Sequence, residues 1–175
     1  MSRATTSIQD SPPEALSVEP GGIPSELKKR RQWVNWRYAL TDKGKWTKHP
    51  HDPRTGRKAK STDLMTWSAF EEVLEAYETG GYDGVGFVFC SGDPYAGVDL
   101  DKCRDSETGE IERWAADIVN GLDSYTELSP SGRGLHIILK GKVPAPLKLD
   151  HIEMYSIERY FTITGHVADV GAREA

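Results

Sequence analysis

Two aspartates separated by one residue, Asp99 and Asp101, end the segment Gly97–Asp101. Val98 and Leu100 alternate with them, so a β-strand would place both carboxylates on one face, about 7 Å apart. Neighbouring anions repel each other and lose hydration on burial, so a cation is expected between them. Mg²⁺ and Mn²⁺ prefer carboxylate oxygens, and a pair of such ions can serve phosphoryl transfer. The alternative is a surface strand whose aspartates face solvent.

A turn rich in serine and glycine follows at 129–136, with sequence SPSGRGLH. Glycines allow backbone N–H groups to approach an anion, Arg133 can form two bonds to phosphate oxygens, and His136 can donate to a triphosphate. The alternative is an ordinary hairpin turn with a satisfied histidine. The residues predicted to bind a nucleotide here are Ser131, Gly132, Arg133, Gly134 and His136.

A third signal is Glu153, an acid between Ile152 and Met154 in an otherwise apolar run. A charge in that position needs a partner, and a metal already held by Asp99 and Asp101 would supply one. The alternative is an edge strand with Glu153 facing solvent.

The charge distribution is uneven. The formal net charge is -5, yet residues 26–60 contain twelve Lys and Arg against three Asp and Glu. This asymmetry is typical of a basic binding face beside an acidic metal site, although a solvated charge run would look the same.

The length of 175 residues predicts one domain, over 24–175, behind a disordered leader at 1–23 that is rich in Ser, Pro and Glu. Two cysteines without CxxC spacing favour a reducing, cytoplasmic setting. No apolar run approaches the roughly 20 residues of a membrane span.

Periodicity predicts mixed helices and strands without regular βαβ alternation, so the fold class is α/β or α+β, with helices on one face of the sheet. Ser68 and Glu71 suggest a capping box for a helix that stops at Gly80–Gly81. Segments 85–90 and 95–101 suggest a central hairpin. The other predicted elements are helices at 24–31 and 111–120, the latter capped by Gly121, a basic loop or hairpin at 41–60, and strands at 33–38, 125–128, 135–140, 152–155 and 160–164.

The order of these signals, a DxD pair, a serine-glycine turn ending in histidine and an acid in an apolar strand, resembles the three motifs of the archaeo-eukaryotic primase superfamily. The chain is most similar to the primase-polymerase domains of phage and plasmid replication proteins, and the resemblance spans about residues 32–166. Further similar stretches are Lys48–Pro50, Pro53–Gly56, Ser61–Trp67, Tyr125–Gly132 and Arg159–Gly165.

The resemblance implies a mixed or antiparallel RRM-like catalytic sheet with packed helices and an N-terminal αβ unit. It implies that Asp99, Asp101 and Glu153 hold two Mg²⁺ or Mn²⁺ ions, and that His136 acts with them by contacting the incoming nucleotide. It places Ser131, Arg133 and Arg159 around the triphosphate. Relatives often carry an aspartate where this chain has Ser156, which bears on the third metal ligand.

The implied activity is template-dependent joining of nucleoside triphosphates to a 3′-hydroxyl in phage or plasmid DNA replication, as a DNA polymerase or primase. Expected partners are a DNA template and primer, nucleoside triphosphates, and a replicative helicase or C-terminal helical domain. The predicted template-binding residues are Trp46, Lys48, Arg54, Arg57, Lys58 and Lys60.

Two other functions fit part of the pattern. A non-catalytic module that binds single-stranded DNA would use the same fold without turnover. The histidines of His49–His51 resemble the paired metal ligands of rolling-circle nucleases, although Pro50 between them cannot donate to a strand ladder.

Overall fold

The computed structural model describes residues 11–171. Three helices and nine strands are present within this range, along with short 3₁₀ turns. The helices are α1 (Ser25–Lys28), α2 (Phe70–Thr79) and α3 (Arg113–Leu122). The strands are β1 (Trp33–Leu40), β2 (Trp46–His51), β3 (Gly84–Phe89), β4 (Tyr95–Leu100), β5 (Tyr125–Leu128), β6 (Leu135–Lys140), β7 (Leu147–Leu149), β8 (Ile152–Tyr155) and β9 (Arg159–Ile163).

Four strands form the first sheet, in the order β2-β1-β3-β9 with every pair antiparallel. Trp33 and Phe87 pack on one face of it against Phe70 and Val73 of α2, because the apolar side of that helix turns toward the sheet. Two glycines on the other face, Gly84 and Gly86, leave room for the rings that lie over them.

Five strands form the second sheet, in the order β5-β6-β4-β8-β7, again all antiparallel. Its outer face carries Leu100 and Ile137, which pack against Ala115 and Val119 of α3. The inner face contacts the first sheet at Gly97, where an added Cβ would overlap the Phe161 ring. The predicted α+β class with antiparallel sheets is confirmed at this level, with α2 and α3 each packed on a different sheet.

The predicted central hairpin is wrong. Consecutive strands β3 and β4 belong to different sheets, and neither pairs with the other. The connection between them does turn sharply, because the buried Asp93 carboxylate accepts the N–H groups of Cys90 and Tyr95, both at 2.8 Å. Gln32 and Lys142 also donate to this carboxylate. The turn therefore joins the sheets instead of closing a hairpin.

Two helix ends differ from the predicted ones. Helix α2 is capped at Ala69, whose N–H donates to Glu72 at 2.7 Å, so the reciprocal glutamate is one residue beyond Glu71. Helix α3 continues through Gly121 and ends at Asp123, which has a left-handed backbone. In both cases the sequence identified the helix and missed its boundary.

The segment before Ile23 packs on the domain, although the sequence assigned it to the leader. Val18 is buried, Leu16 N–H donates to Pro130 O, and Glu19 N–H donates to Thr164 O. The part of the predicted leader at 1–10 lies outside the described residues. Within residues 11–171 no helix has the length and apolar character needed to cross a bilayer.

Candidate active site

A row of polar side chains crosses the inner face of the second sheet. Direct cross-strand pairing connects Glu127 with His136, His136 with Asp99, Asp99 with Glu153, and Glu153 with Lys148. Residues directly opposite each other in neighbouring strands project to the same face, so the register alone aligns all five. Three residues that the sequence singled out for chemistry, Asp99, His136 and Glu153, therefore lie side by side.

The carboxylates adjoin an open cavity of 570 Å³ that Asp99, Asp101 and Glu153 line together. Burial raises the pKa of Asp99, with His136 opposing that rise and the neighbouring acids Asp101 and Glu153 adding to it. Asp101 follows β4 and is exposed, and its side chain accepts the N–H of Lys102 at 3.0 Å. The cavity is thus an acidic region whose anions disfavour one another.

Glu153 has two partners of its own. Tyr155 donates its hydroxyl to Oε2 at 2.7 Å, and the Nζ of Lys148 lies 3.1 Å from Oε1. The hydrogen bond from Tyr155 is the main reason that the pKa of Glu153 is lowered, with Lys148 acting in the same direction against burial. Glu153 is therefore an ionised carboxylate at the cavity edge, with Lys148 as its counterion.

Lys48, in β2 of the first sheet, interacts electrostatically with the same acids. Its pKa is lowered by burial, against the opposing charges of Asp99 and Asp101. Its Nζ lies 6.0 Å from the ring centroids of both Trp36 and Tyr38. The sequence grouped Lys48 with template-binding residues, and the structure adds an electrostatic interaction with Asp99 and Asp101.

His136 is buried behind Asp99. Its Nε2 lies 3.7 Å from Asp99 Oδ1, and its Nδ1 lies 2.9 Å from Thr162 O and 3.5 Å from Glu127 Oε1. Burial lowers the pKa of this imidazole, but the carboxylates of Glu127 and Asp99 outweigh that effect, so the pKa is raised overall. The ring is suited to contact an anion that enters beside Asp99.

Glu127 was not identified by sequence reasoning. It lies between Thr126 and Leu128 in β5, a four-residue strand that also contains Tyr125. The criterion that selected Glu153, an acid between two apolar residues, therefore did not identify Glu127.

The serine-glycine turn is held by its own hydroxyls. Ser129 Oγ accepts the N–H of Gly134 at 3.0 Å, and Ser131 Oγ accepts the N–H of Arg133 at 3.2 Å. Gly132 has φ of 73°, and an added Cβ at Gly134 would meet Leu100 O. The turn is therefore closely fitted to the end of β4.

Arg133 points away from the acidic cavity. It lines a neighbouring cavity of 470 Å³ together with Lys102 and Arg104, and Lys102 also lines the acidic cavity. Arg104 donates to Gly132 O at 2.8 Å. The two cavities therefore share Lys102, with basic groups lining one and carboxylates lining the other.

Arg159 is the first residue of β9, and its guanidinium lies 4.8 Å from the ring centroid of Tyr155 in β8. It lines a third cavity, of 490 Å³, with Lys60 and Tyr160. Arg159 and Arg133 therefore line two different cavities, and neither of them lines the acidic one.

The basic segment 41–60 does not form one uniform face. Arg54 makes a two-pronged ion pair with Asp52, at 3.0 and 2.9 Å, and also donates to Met65 O. Arg57 and Lys58 are exposed in the turn after β2. Trp46 is partly exposed and pairs with Leu40 at the turn end of the β1–β2 hairpin, next to the loop at 41–45.

The donor set suits a hard divalent cation only in part. Carboxylate oxygens from Asp99, Asp101 and Glu153 are the ligands that Mg²⁺ and Mn²⁺ prefer. Among residues 11–171, however, no three His, Cys, Asp or Glu side chains are arranged as a metal site. In this arrangement Lys148 contacts Glu153 directly, so metal binding would require that side chain to move.

Comparison with known proteins gives one informative result. No protein-family model matches the chain. The chain is similar to a DNA primase-polymerase of Nitratiruptor phage NrS-1. The identity is 37% over 150 residues, which is 82% of this chain and 20% of the phage protein, so the chain spans about a fifth of that relative. This similarity supports a relationship to primase-polymerases.

Proposed function

We propose that this chain is the catalytic core of a DNA primase-polymerase, a nucleotidyltransferase that adds nucleotides to a 3′-hydroxyl on a DNA template in phage or plasmid replication. The observation that carries the proposal is the aligned row of His136, Asp99 and Glu153, in which Asp99 and Glu153 line one cavity together with Asp101. The similarity to the phage enzyme supports the same conclusion. Membership of the archaeo-eukaryotic primase superfamily, with its RRM-like sheet, is part of this proposal.

Asp99, Asp101 and Glu153 would hold two Mg²⁺ or Mn²⁺ ions. Bound there, the ions supply activation of the attacking hydroxyl and compensation of charge on the transferred phosphoryl group. Without bound metal, Lys48 and Lys148 reduce the electrostatic repulsion within the acid cluster, because each places a positive charge near the carboxylates.

The chain's own residues bind and orient the nucleotide. His136 presents Nε2 beside Asp99, where it can donate to a phosphate oxygen. The turn at 129–134 offers backbone close to the end of β4, and Arg133 and Arg159, which line two other cavities, would have to extend toward the triphosphate. Template contacts fall to Arg57, Lys58 and Lys60, with Trp46 as a stacking surface and Arg54 only after it leaves Asp52. A helicase or C-terminal helical partner belongs to the same proposal.

The test is extension of a labelled primer on a DNA template with Mg²⁺ or Mn²⁺, with dNTPs and NTPs assayed separately. We expect metal-dependent extension by the unchanged chain and none by the double variant Asp99→Ala with Asp101→Ala. The matched control is Glu75→Ala with Glu78→Ala, which removes two exposed acids from α2 and should leave extension intact.

Failure of a folded, DNA-binding chain to extend any primer would contradict the proposal. That outcome would favour the alternative of a non-catalytic module that binds single-stranded DNA, for which Lys48 and Lys148 would be permanent counterions. The affinity for single-stranded DNA, measured by fluorescence anisotropy as salt is raised, would show whether a chain that extends no primer still binds DNA.

A further inference from the structure

Glu127 is the most deeply buried acid in the polar row, with its side chain fully inaccessible to solvent. It does not line the cavity that Asp99, Asp101 and Glu153 share. Removing a carboxylate from water is costly unless hydrogen bonds and charges replace the lost hydration. Its position therefore requires an explanation apart from metal binding.

Three donors account for most of its hydrogen-bonding capacity. Thr164 N–H donates to Oε1 at 3.0 Å, and Gly165 N–H donates to Oε2 at 2.8 Å. The hydroxyl of Tyr125 donates to Oε2 at 2.7 Å. These bonds attach the chain after β9 to β5, which is a structural role.

The contact with His136 goes further. The Nδ1 atom of this ring faces Thr162 O at 2.9 Å and Glu127 Oε1 at 3.5 Å. A carbonyl oxygen can only accept a hydrogen bond, so Nδ1 carries a hydrogen, which is directed at Thr162 O and lies beside Glu127 Oε1. The ring also packs on Phe161, with centroids 5.1 Å apart. Its remaining nitrogen, Nε2, is consequently directed at Asp99.

We infer that Glu127 is a positioning residue that acts through His136. Together with the nearer acceptor, Thr162 O, it holds the hydrogen on Nδ1 and the direction of the ring, so that Nε2 points to Asp99 and, when it too carries a hydrogen, can donate to a nucleotide phosphate there. A buried acid behind a histidine performs this task in the Ser-His-Asp triad of acyl-transfer enzymes, and misplacement of a reacting group by about 1 Å can cost about 10²-fold in rate. The catalytic consequence rests on the proposed function, whereas the state of the ring does not.

The decisive experiment is a double-mutant cycle with Glu127→Gln, His136→Ala and the combined variant. Each is assayed for single-nucleotide extension and for unfolding in urea. We expect Glu127→Gln alone to lower kcat about 10²-fold with little change in KM, and to have no further effect on extension in the His136→Ala background. An equal loss of kcat in both backgrounds would overturn the inference, because it would mean that Glu127 acts only through the fold.

Tyr125→Phe is the matched control. It removes one donor to Glu127 and leaves His136 and its contacts in place. We expect a lower urea midpoint with kcat unchanged. A fall in kcat as large as that of Glu127→Gln would assign the effect to general loosening of the fold and contradict a role through His136.

The state of the ring can be measured without any activity assay. Long-range ¹H–¹⁵N correlation spectra report which nitrogen of each of the five histidines carries hydrogen, and His136→Asn assigns the signal. We expect a hydrogen on Nδ1 of His136 in the unchanged chain, and a shifted signal for this ring alone in Glu127→Gln. A bare Nδ1 in the unchanged chain would overturn the inference.

If Glu127→Gln does not fold, the spectrum of the unchanged chain and the variant Glu127→Asp decide the question. Glu127→Asp keeps the charge one methylene further from the ring, and we expect it to retain the Nδ1 hydrogen. Absence of primer extension by the unchanged chain would refute the proposed function, while the spectra would still decide how Glu127 and His136 interact.

Discussion

The inner faces of the two sheets differ in chemical character. In the first sheet the rings of Trp33, Phe87 and Phe89 meet edge to face, with Trp33–Phe87 centroids 5.3 Å apart and Phe87–Phe89 centroids 5.6 Å apart. In the second sheet the inner face carries charged groups across all five strands, from Glu127 to Lys148. One sheet is built mainly of contacts that stabilise the fold, and the other carries groups that repel or lose hydration.

The difference shows where stability and chemistry are separated in the molecule. Like charges placed together and carboxylates partly removed from water lower stability, and proteins retain them where function requires them. The aromatic packing of the first sheet offsets that cost, because large buried rings contribute most to a core. Substitutions in the two sheets should therefore differ in sign as well as size.

The largest expected effect is on activity, from Asp99→Asn. We expect extension to fall about 10³-fold, by analogy with loss of one charge-stabilising group from an active site. The free energy of unfolding at pH 7 should stay equal or rise, since a folded-state pKa above the ordinary value means that the charged form opposes folding. Urea denaturation measures the second quantity. A clear loss of stability would contradict the distinction between the sheets.

Trp33→Ala should have the largest effect on stability. The ring is completely buried, packs on Phe70 at 4.8 Å between centroids, and donates its Nε1–H to Leu27 O. We expect a loss of about 3–5 kcal/mol in the free energy of unfolding. The same change at the partly exposed Trp46 should cost far less, and similar costs at both tryptophans would show that the first sheet is not the stabilising one.

Asp93→Asn tests the junction between the sheets. Four donors outweigh burial and lower the pKa of Asp93, so its stabilising effect is present at neutral pH and disappears as pH falls through the folded-state pKa, below about 4. We expect the variant to be less stable by about 1–3 kcal/mol at pH 7. The difference from the unchanged chain should shrink below pH 4 in urea titrations. Asp117→Asn, at an exposed position of α3, is the matched control and should change the free energy of unfolding at pH 7 far less.

Gly132→Ala should have the smallest effect. The left-handed backbone at this turn of the second sheet has φ of 73°, so a Cβ should cost about 1 kcal/mol in the free energy of unfolding. Gly121→Ala is the opposite control, because Gly121 lies inside α3 with open space around it, and alanine there should be stabilising by about 1 kcal/mol. Thermal melts of both variants would reveal the predicted difference in sign.

Much of the secondary structure could be predicted because the strands have strong local signals. Alternation and β-branched content located the strands at 125–128, 135–140 and 152–155 at their observed bounds. The pairing of strands could not be predicted in the same way. The sequence SGDP between β3 and β4 is a genuine turn, but whether two strands then pair or part depends on Asp93 reaching Gln32 and Lys142, which are distant in sequence.

The candidate site was predictable where it followed the period of two. Asp99, His136 and Glu153 each stood out in an apolar strand, and the observed register aligns them. The electrostatic interaction of Lys48 with Asp99 and Asp101 could not be predicted from sequence, because Lys48 belongs to the other sheet and tertiary packing brings the charges near each other. The roles assigned to these residues stay predictions until the variants are assayed.

The position of β9 at the edge of the first sheet has a consequence for synthesis of the chain. Until residues 159–165 leave the ribosome, β3 has an unpaired edge, and Phe89 and Gly97 lack the Phe161 ring that covers them. Glu127 also lacks the N–H groups of Thr164 and Gly165. A nascent chain stalled before this point should expose a strand edge that can pair with other chains, and should depend on chaperones. Folding should also be slow, because the contacts that complete the first sheet are distant in sequence.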